Sequence, residues 1–124
     1  MELKKYQNRV VADLEDFLMQ VNEQPTLSDA FKVFWESHQI EVGTPQMLGY
    51  QNVIDRVPHV CYKVPTGGGK TFLACASVKP IFEALPPTRK KAVVWLVPSD
   101  SILTQTLATL KDPLHPVSYT HLRA

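Results

Sequence analysis

The stretch Val64-Pro65-Thr66-Gly67-Gly68-Gly69-Lys70-Thr71 decides how the rest of the chain is read. Consecutive glycines let a backbone curl until several N–H groups point at one centre, with no Cβ in the way. A helix that starts at once brings the positive end of its dipole to the same point. Lys70 adds a point charge suited to the β/γ oxygens of a nucleoside triphosphate, and the Thr71 hydroxyl suits one coordination place on Mg²⁺. These are the parts of a phosphate-binding loop. Pro65, Thr66, Gly67, Gly68, Gly69, Lys70 and Thr71 are its candidate nucleotide contacts, Lys70 and Thr71 its candidate catalytic pair. Thr71 is also the candidate Mg²⁺ ligand. The strict pattern G-x-x-x-x-G-K-[ST] wants glycine at position 64, where this chain has valine. The plainer reading is a glycine-rich turn with a chance Lys-Thr; a strand before and a helix after favour the phosphate loop.

Those flanking elements are legible. Val57 to Val64 reads as a strand, with Pro58 tolerated near its start. A helix is expected from Lys70 toward Leu85, kinked or ended by Pro80 near Lys79. Leu85 to Arg89 is a loop. Ala92-Val93-Val94-Trp95-Leu96-Val97 is an unbroken apolar run, which fits a strand buried on both faces. Ser99 to Lys111 reads as a helix, with Ser99 or Asp100 near its cap and Ile102, Leu103, Leu107 and Leu110 facing in. Strand, helix, strand, helix means an α/β fold.

Upstream the periodicity is helical. Tyr6, Val10, Leu14, Phe17 and Val21 recur at three- and four-residue steps between about Lys4 and Asn22, with Val11 and Leu18 widening the stripe. Gln24-Pro25-Thr26 interrupts it. Thr26 or Ser28 is placed to cap a second helix, whose apolar face is Leu27, Ala30, Phe31, Phe34 and Trp35. That aromatic stripe reads as core. Between Gln39 and Arg56 no period is sustained, and Gly43, Pro45 and Gly49 mark a connection.

Composition bounds the answer without choosing it. The 124 residues are 44% hydrophobic and 20% charged, which excludes a disordered tail, a collagen-like chain and a disulfide scaffold. Thirteen Lys and Arg against twelve Asp and Glu leave +1, so no global basic field draws nucleic acid, although a local groove stays open. No apolar run approaches the ~20 residues that span a bilayer, and the start has no apolar signal region. The expectation is a cytoplasmic protein with no membrane contact. Cys61 and Cys75 fall in buried types of segment and are read as reduced core thiols.

A phosphate loop alone does not separate kinase, GTPase, transporter ATPase and helicase. Two further elements do. Val64 to Thr71 resembles motif I of superfamily 2 helicases, whose first position is often not glycine. Leu3-Lys4-Lys5-Tyr6-Gln7 resembles the L-x-x-Y-Q element of the same superfamily. The resemblance implies that Gln7 reads the adenine edge, since its amide both donates and accepts, with Tyr6 a weaker candidate against the base. An exposed glutamine at a helix start and a core tyrosine remain the alternative. Val97-Pro98-Ser99 looks like motif Ia, which implies that Pro98 and Ser99 touch the nucleic-acid backbone; Ser99 as a simple helix cap is equally open. The wider run, with Pro58-His59-Val60-Cys61, Lys79-Pro80-Ile81-Phe82 and Trp95 to Asp100, resembles the N-terminus of DEAD/DEAH-type helicases grouped with the Res subunit of type III restriction endonucleases.

That family implies ATP with Mg²⁺ as cofactors, DNA as partner, a Mod-type methyltransferase subunit beside it, and hydrolysis coupled to movement on duplex DNA. It implies a partial RecA-like domain, an incomplete parallel sheet with flanking helices, preceded by an N-terminal helical segment. The expected divisions are residues 1–56 (helical, with the adenine-recognition element), 57–116 (first part of the ATP-binding domain) and 117–124. The last eight, Val117 to Ala124, back-translate as GTC TCT TAT ACA CAT CTC CGA GCC, which looks like the end of a transposase-type sequencing adapter. They are expected not to be native, and the chain to be the front of a longer motor. After Thr71 no Asp-Glu pair ends an apolar strand; Asp100 and Asp112 are isolated. Slow or absent hydrolysis by this chain alone is expected, as are low stability and unpaired sheet edges. The reading from a different class is a small-molecule kinase or GTPase, in which Tyr6 and Gln7 would be idle.

Overall fold

Helical periodicity supplies its own backbone hydrogen bonds, and the chain's regular structure comes from it. The computed structural model describes residues 2–87 and 89–111, which hold four helices: α1 (Lys5–Glu23), α2 (Leu27–Ser37), α3 (Lys70–Ala84) and α4 (Asp100–Lys111). The chain divides into two compact units, one built from the residues up to Val11 together with those from Val64 onward, the other from Ala12–Lys63.

In the Ala12–Lys63 unit the expected stripes meet. Phe17, Ala30 and Phe34 form a buried cluster, with Val21, Phe31 and Trp35 packed against it. Phe17 and Phe34 meet edge to face, centroids 5.9 Å apart, the arrangement ring quadrupoles favour. Thr26 caps α2: its Oγ1 accepts from the Asp29 N–H at 3.1 Å. At the other end Ile40 N–H donates to Trp35 O and Gln39 N–H to Glu36 O, both at 3.0 Å. That is a Schellman closure, and its left-handed position is Gln39, φ 62°.

In the unit from Val64 onward, Cys75 and Leu110 are the buried cluster, with Phe72 and Trp95 against it. α3 runs through Pro80 to Ala84, and Leu85 N–H closes on Ile81 O at 3.2 Å. The helix does not end near Lys79. Proline forfeits one N–H bond, and the ring of Pro80 is buried, which offsets that loss. α4 packs through Thr106 and Leu110, one turn apart; Ile102, Leu103 and Leu107, expected to face in, are exposed.

The expected α/β fold with a RecA-like parallel sheet is not what forms. Among the described residues there is no strand, only an isolated bridge between Thr44 and Met47. Residues 57–64 and 92–97 form no helix and no strand; the Val57 and His59 amides donate instead to Ile54 O and the Tyr50 hydroxyl. A strand is stable only when neighbours take its N–H and C=O groups, and a lasting sheet needs about three of them. The apolar run supplies side chains suited to burial without supplying a cover: Val94 is 82% and Leu96 88% exposed. Cys61 departs from expectation for the same reason. It lies on the 57–64 segment, which joins no sheet, and is exposed, whereas Cys75 is buried in α3, where burial raises its thiol pKa. Asp112 and the adapter-like residues 117–124 lie outside the described residues.

Candidate functional site

The glycine-rich segment folds as a turn feeding directly into α3. Gly68 N–H donates to Pro65 O at 3.0 Å, and Gly67, third in the turn, has φ 74° while Thr66 keeps an ordinary φ. That combination is a type II turn. Gly69 (φ 77°, ψ 43°) is the N-cap of α3 and offers no side-chain cap. The first helical bond runs from Leu73 N–H to Gly69 O at 2.9 Å, so the amides of Lys70 and Thr71 have no acceptor within the helix.

Two positions need glycine for different reasons. A Cβ at Gly68 would stand 2.6 Å from Val64 Cγ1 and 2.8 Å from Pro65 O. The valine that departs from the strict motif thus packs directly on the loop. At Gly69 the left-handed backbone disfavours any side chain, and a Cβ would meet Gln7 Nε2 at 2.6 Å.

Gln7 is there because the start of α1 lies against the loop. Its side chain is buried, 5% exposed, with Oε1 accepting from Lys4 N–H at 2.8 Å. Nε2 donates to the carbonyl oxygen of Gly68 at 3.0 Å. The Tyr6 hydroxyl donates to the same oxygen. One lone pair on Oε1 and one N–H of the amide remain for another group. Lys70 is exposed and makes no ion pair among the described residues; Thr71 is half-buried. Pro98 and Ser99 lie exposed before α4. Ser99 Oγ is 3.4 Å from Ile102 N and 3.1 Å from Ser101 Oγ, and no hydrogen bond among the described residues ties it to the loop. The structure therefore joins Tyr6 and Gln7 to the glycine-rich loop and leaves Pro98 and Ser99 apart from that network.

Sequence reasoning missed a second concavity, within the Ala12–Lys63 unit. A pocket of about 220 Å³ is walled by Phe17, Phe31, Phe34, Trp35, Asp13 and Tyr62, among others. Burial, with a smaller contribution from the Asp13 carboxylate, pushes the Tyr62 hydroxyl up to about 12. The signal available beforehand was the density of aromatics on α2, which reads first as core and serves as core.

The glycine-rich turn opens directly into α3, as expected, with a buried amide from α1 against it, but the strand expected before it is not formed. The model of the family described as "Type III restriction enzyme, res subunit" matches residues 1–120, and the chain belongs to this family of the helicase superfamily. No curated protein and no solved structure matches it. Among the described residues no helix is long and apolar enough to cross a membrane.

Proposed function

We propose that this chain binds ATP with Mg²⁺ through Pro65–Thr71, as the nucleotide-binding part of a helicase-type Res subunit that acts on DNA beside a Mod-type methyltransferase subunit. The observation that carries this reading is the shared carbonyl of Gly68, which links Gln7 to a loop with acceptor-free amides. The residues fit a triphosphate. The amides of Lys70 and Thr71 face outward from the positive end of α3, and the Lys70 ammonium is unpaired among the described residues. Lys70 neutralises the β/γ oxygens, and the Thr71 hydroxyl is the one protein ligand offered to Mg²⁺, which otherwise keeps phosphate oxygens and waters.

Base choice follows from Gln7. Its spare Oε1 lone pair and N–H match the donor and acceptor of adenine, whereas guanine presents acceptors at both places. Ser99 and Pro98, at the start of α4, contact a DNA phosphate, Ser99 while still capping its helix.

Nucleotide titration in the presence of Mg²⁺ tests the reading. ATP should bind in preference to GTP, Lys70→Ala should abolish binding of both, and Gln7→Ala should cut the adenine preference about tenfold, the loss of one good bidentate pair. A preference for guanine, or ATP affinity untouched by Lys70→Ala, overturns it.

A further inference from the structure

We infer that Tyr6 is a positioning residue of the phosphate loop, acting through the Gly68 carbonyl and not on the nucleotide base; the inference rests on the nucleotide-binding reading of Pro65–Thr71. A trans peptide is planar, and its C=O and N–H point in opposite directions. Whatever holds the Gly68 oxygen therefore also aims the N–H of Gly69. Two side chains hold it: the Tyr6 hydroxyl and Gln7 Nε2, each donating to that one oxygen. They approach from the α1 side, so the Gly69 N–H is turned to the opposite side of the peptide, away from α1.

The loop needs such a brace. Gly67 and Gly69 both adopt positive φ, and glycine crosses between backbone wells more readily than any other residue. The cap position of α3 has no side-chain bond to steady it. An unbraced Gly68–Gly69 peptide could flip and point its carbonyl at an anion. The two donors from α1 remove that option before a ligand arrives, which is preorganisation. The adenine-reading amide and the phosphate loop then share one atom, so occupancy of Gln7 by a base is felt at Gly69.

The test uses the 124-residue chain and two ligands, ATP and inorganic tripolyphosphate, which carries the phosphates without a base. Tyr6→Phe keeps the ring and removes only the hydroxyl. It should weaken both ligands by the same factor, about three- to tenfold for one lost hydrogen bond, and leave the ATP-to-GTP ratio unchanged. Amide hydrogen exchange at Gly69 and Lys70 in the ligand-free chain should speed up, with the middle of α3 unaffected. Unchanged tripolyphosphate affinity, or a loss confined to ATP, overturns the inference, as does unaltered exchange at Gly69. A parent chain that binds neither ligand removes the nucleotide reading itself, an outcome that needs no variant to recognise.

Discussion

The Gly68 carbonyl oxygen is the atom on which the residues before Val11 and those after Val64 meet, and both donors to it are candidate nucleotide-binding residues in the sequence. Gln7 was legible as a residue of interest because its type and spacing resemble a helicase element. Its burial was not legible, because its partner lies 61 positions away and local pattern carries no information at that range. Tyr62 is the counterpart in the Ala12–Lys63 unit. It falls in the segment that reads as a strand, yet it borders an aromatic pocket beside Asp13. Its hydroxyl titrates near 12 in the folded chain, against 10.0 when free, burial being the larger cause and Asp13 the smaller. The folded state thus holds this proton more tightly than the unfolded state. The resulting stability is complete below pH 10 and is lost as pH rises toward 12. Urea midpoints measured from pH 9 to 12 should fall over that window, and Tyr62→Phe should flatten the fall. A Tyr62→Phe chain with the same alkaline slope would remove Tyr62 as its source.

At the scale of elements, the helices were readable and the strands were not. α1 begins and ends, and α2 and α3 begin, within a residue or two of where periodicity and capping residues put them, because each helix closes its bonds among near neighbours. Pro80 costs α3 one bond without ending it, and its ring is buried. α2 shows where an element carries a defect that its sequence does not advertise. The left-handed closure position is glutamine, φ 62°, where glycine is the usual occupant. Gln39→Gly should therefore stabilise the unit by up to about 1 kcal/mol, the relief of a left-handed Cβ less the extra chain entropy of glycine. The measurement is a denaturant midpoint at unchanged slope. A shift to lower denaturant would mean that the Gln39 side chain contributes more than its backbone costs.

At the scale of the molecule, the apolar run 92–97 sets the chain's behaviour. Val94 and Leu96 stand almost fully in water, joined by exposed Ile102, Leu103 and Leu107 on α4. Uncovered extended apolar chain is a template for association. The chain should self-associate as its concentration rises, read by light scattering on a sizing column. Val94→Lys with Leu96→Lys should suppress this, with a change in folding stability within about 0.5 kcal/mol, as befits surface sites. A double variant that unfolds would mean those side chains are buried after all.

The sequence by itself determined the helices, the glycine-rich turn at Pro65–Gly69, the aromatic core of α2 and membership of the Res family, because each is written in neighbouring residues or a short motif. The tertiary structure alone decided the rest. It brought Tyr6 and Gln7 onto the Gly68 carbonyl, placed Tyr62 beside Asp13, and left 57–64 and 92–97 without strand partners. The physical reason is one of range. A helix or a turn satisfies its backbone locally, whereas a sheet, a pocket or a braced loop depends on groups distant in the chain. An apolar pattern states only that a segment is fit to be covered, not that something covers it.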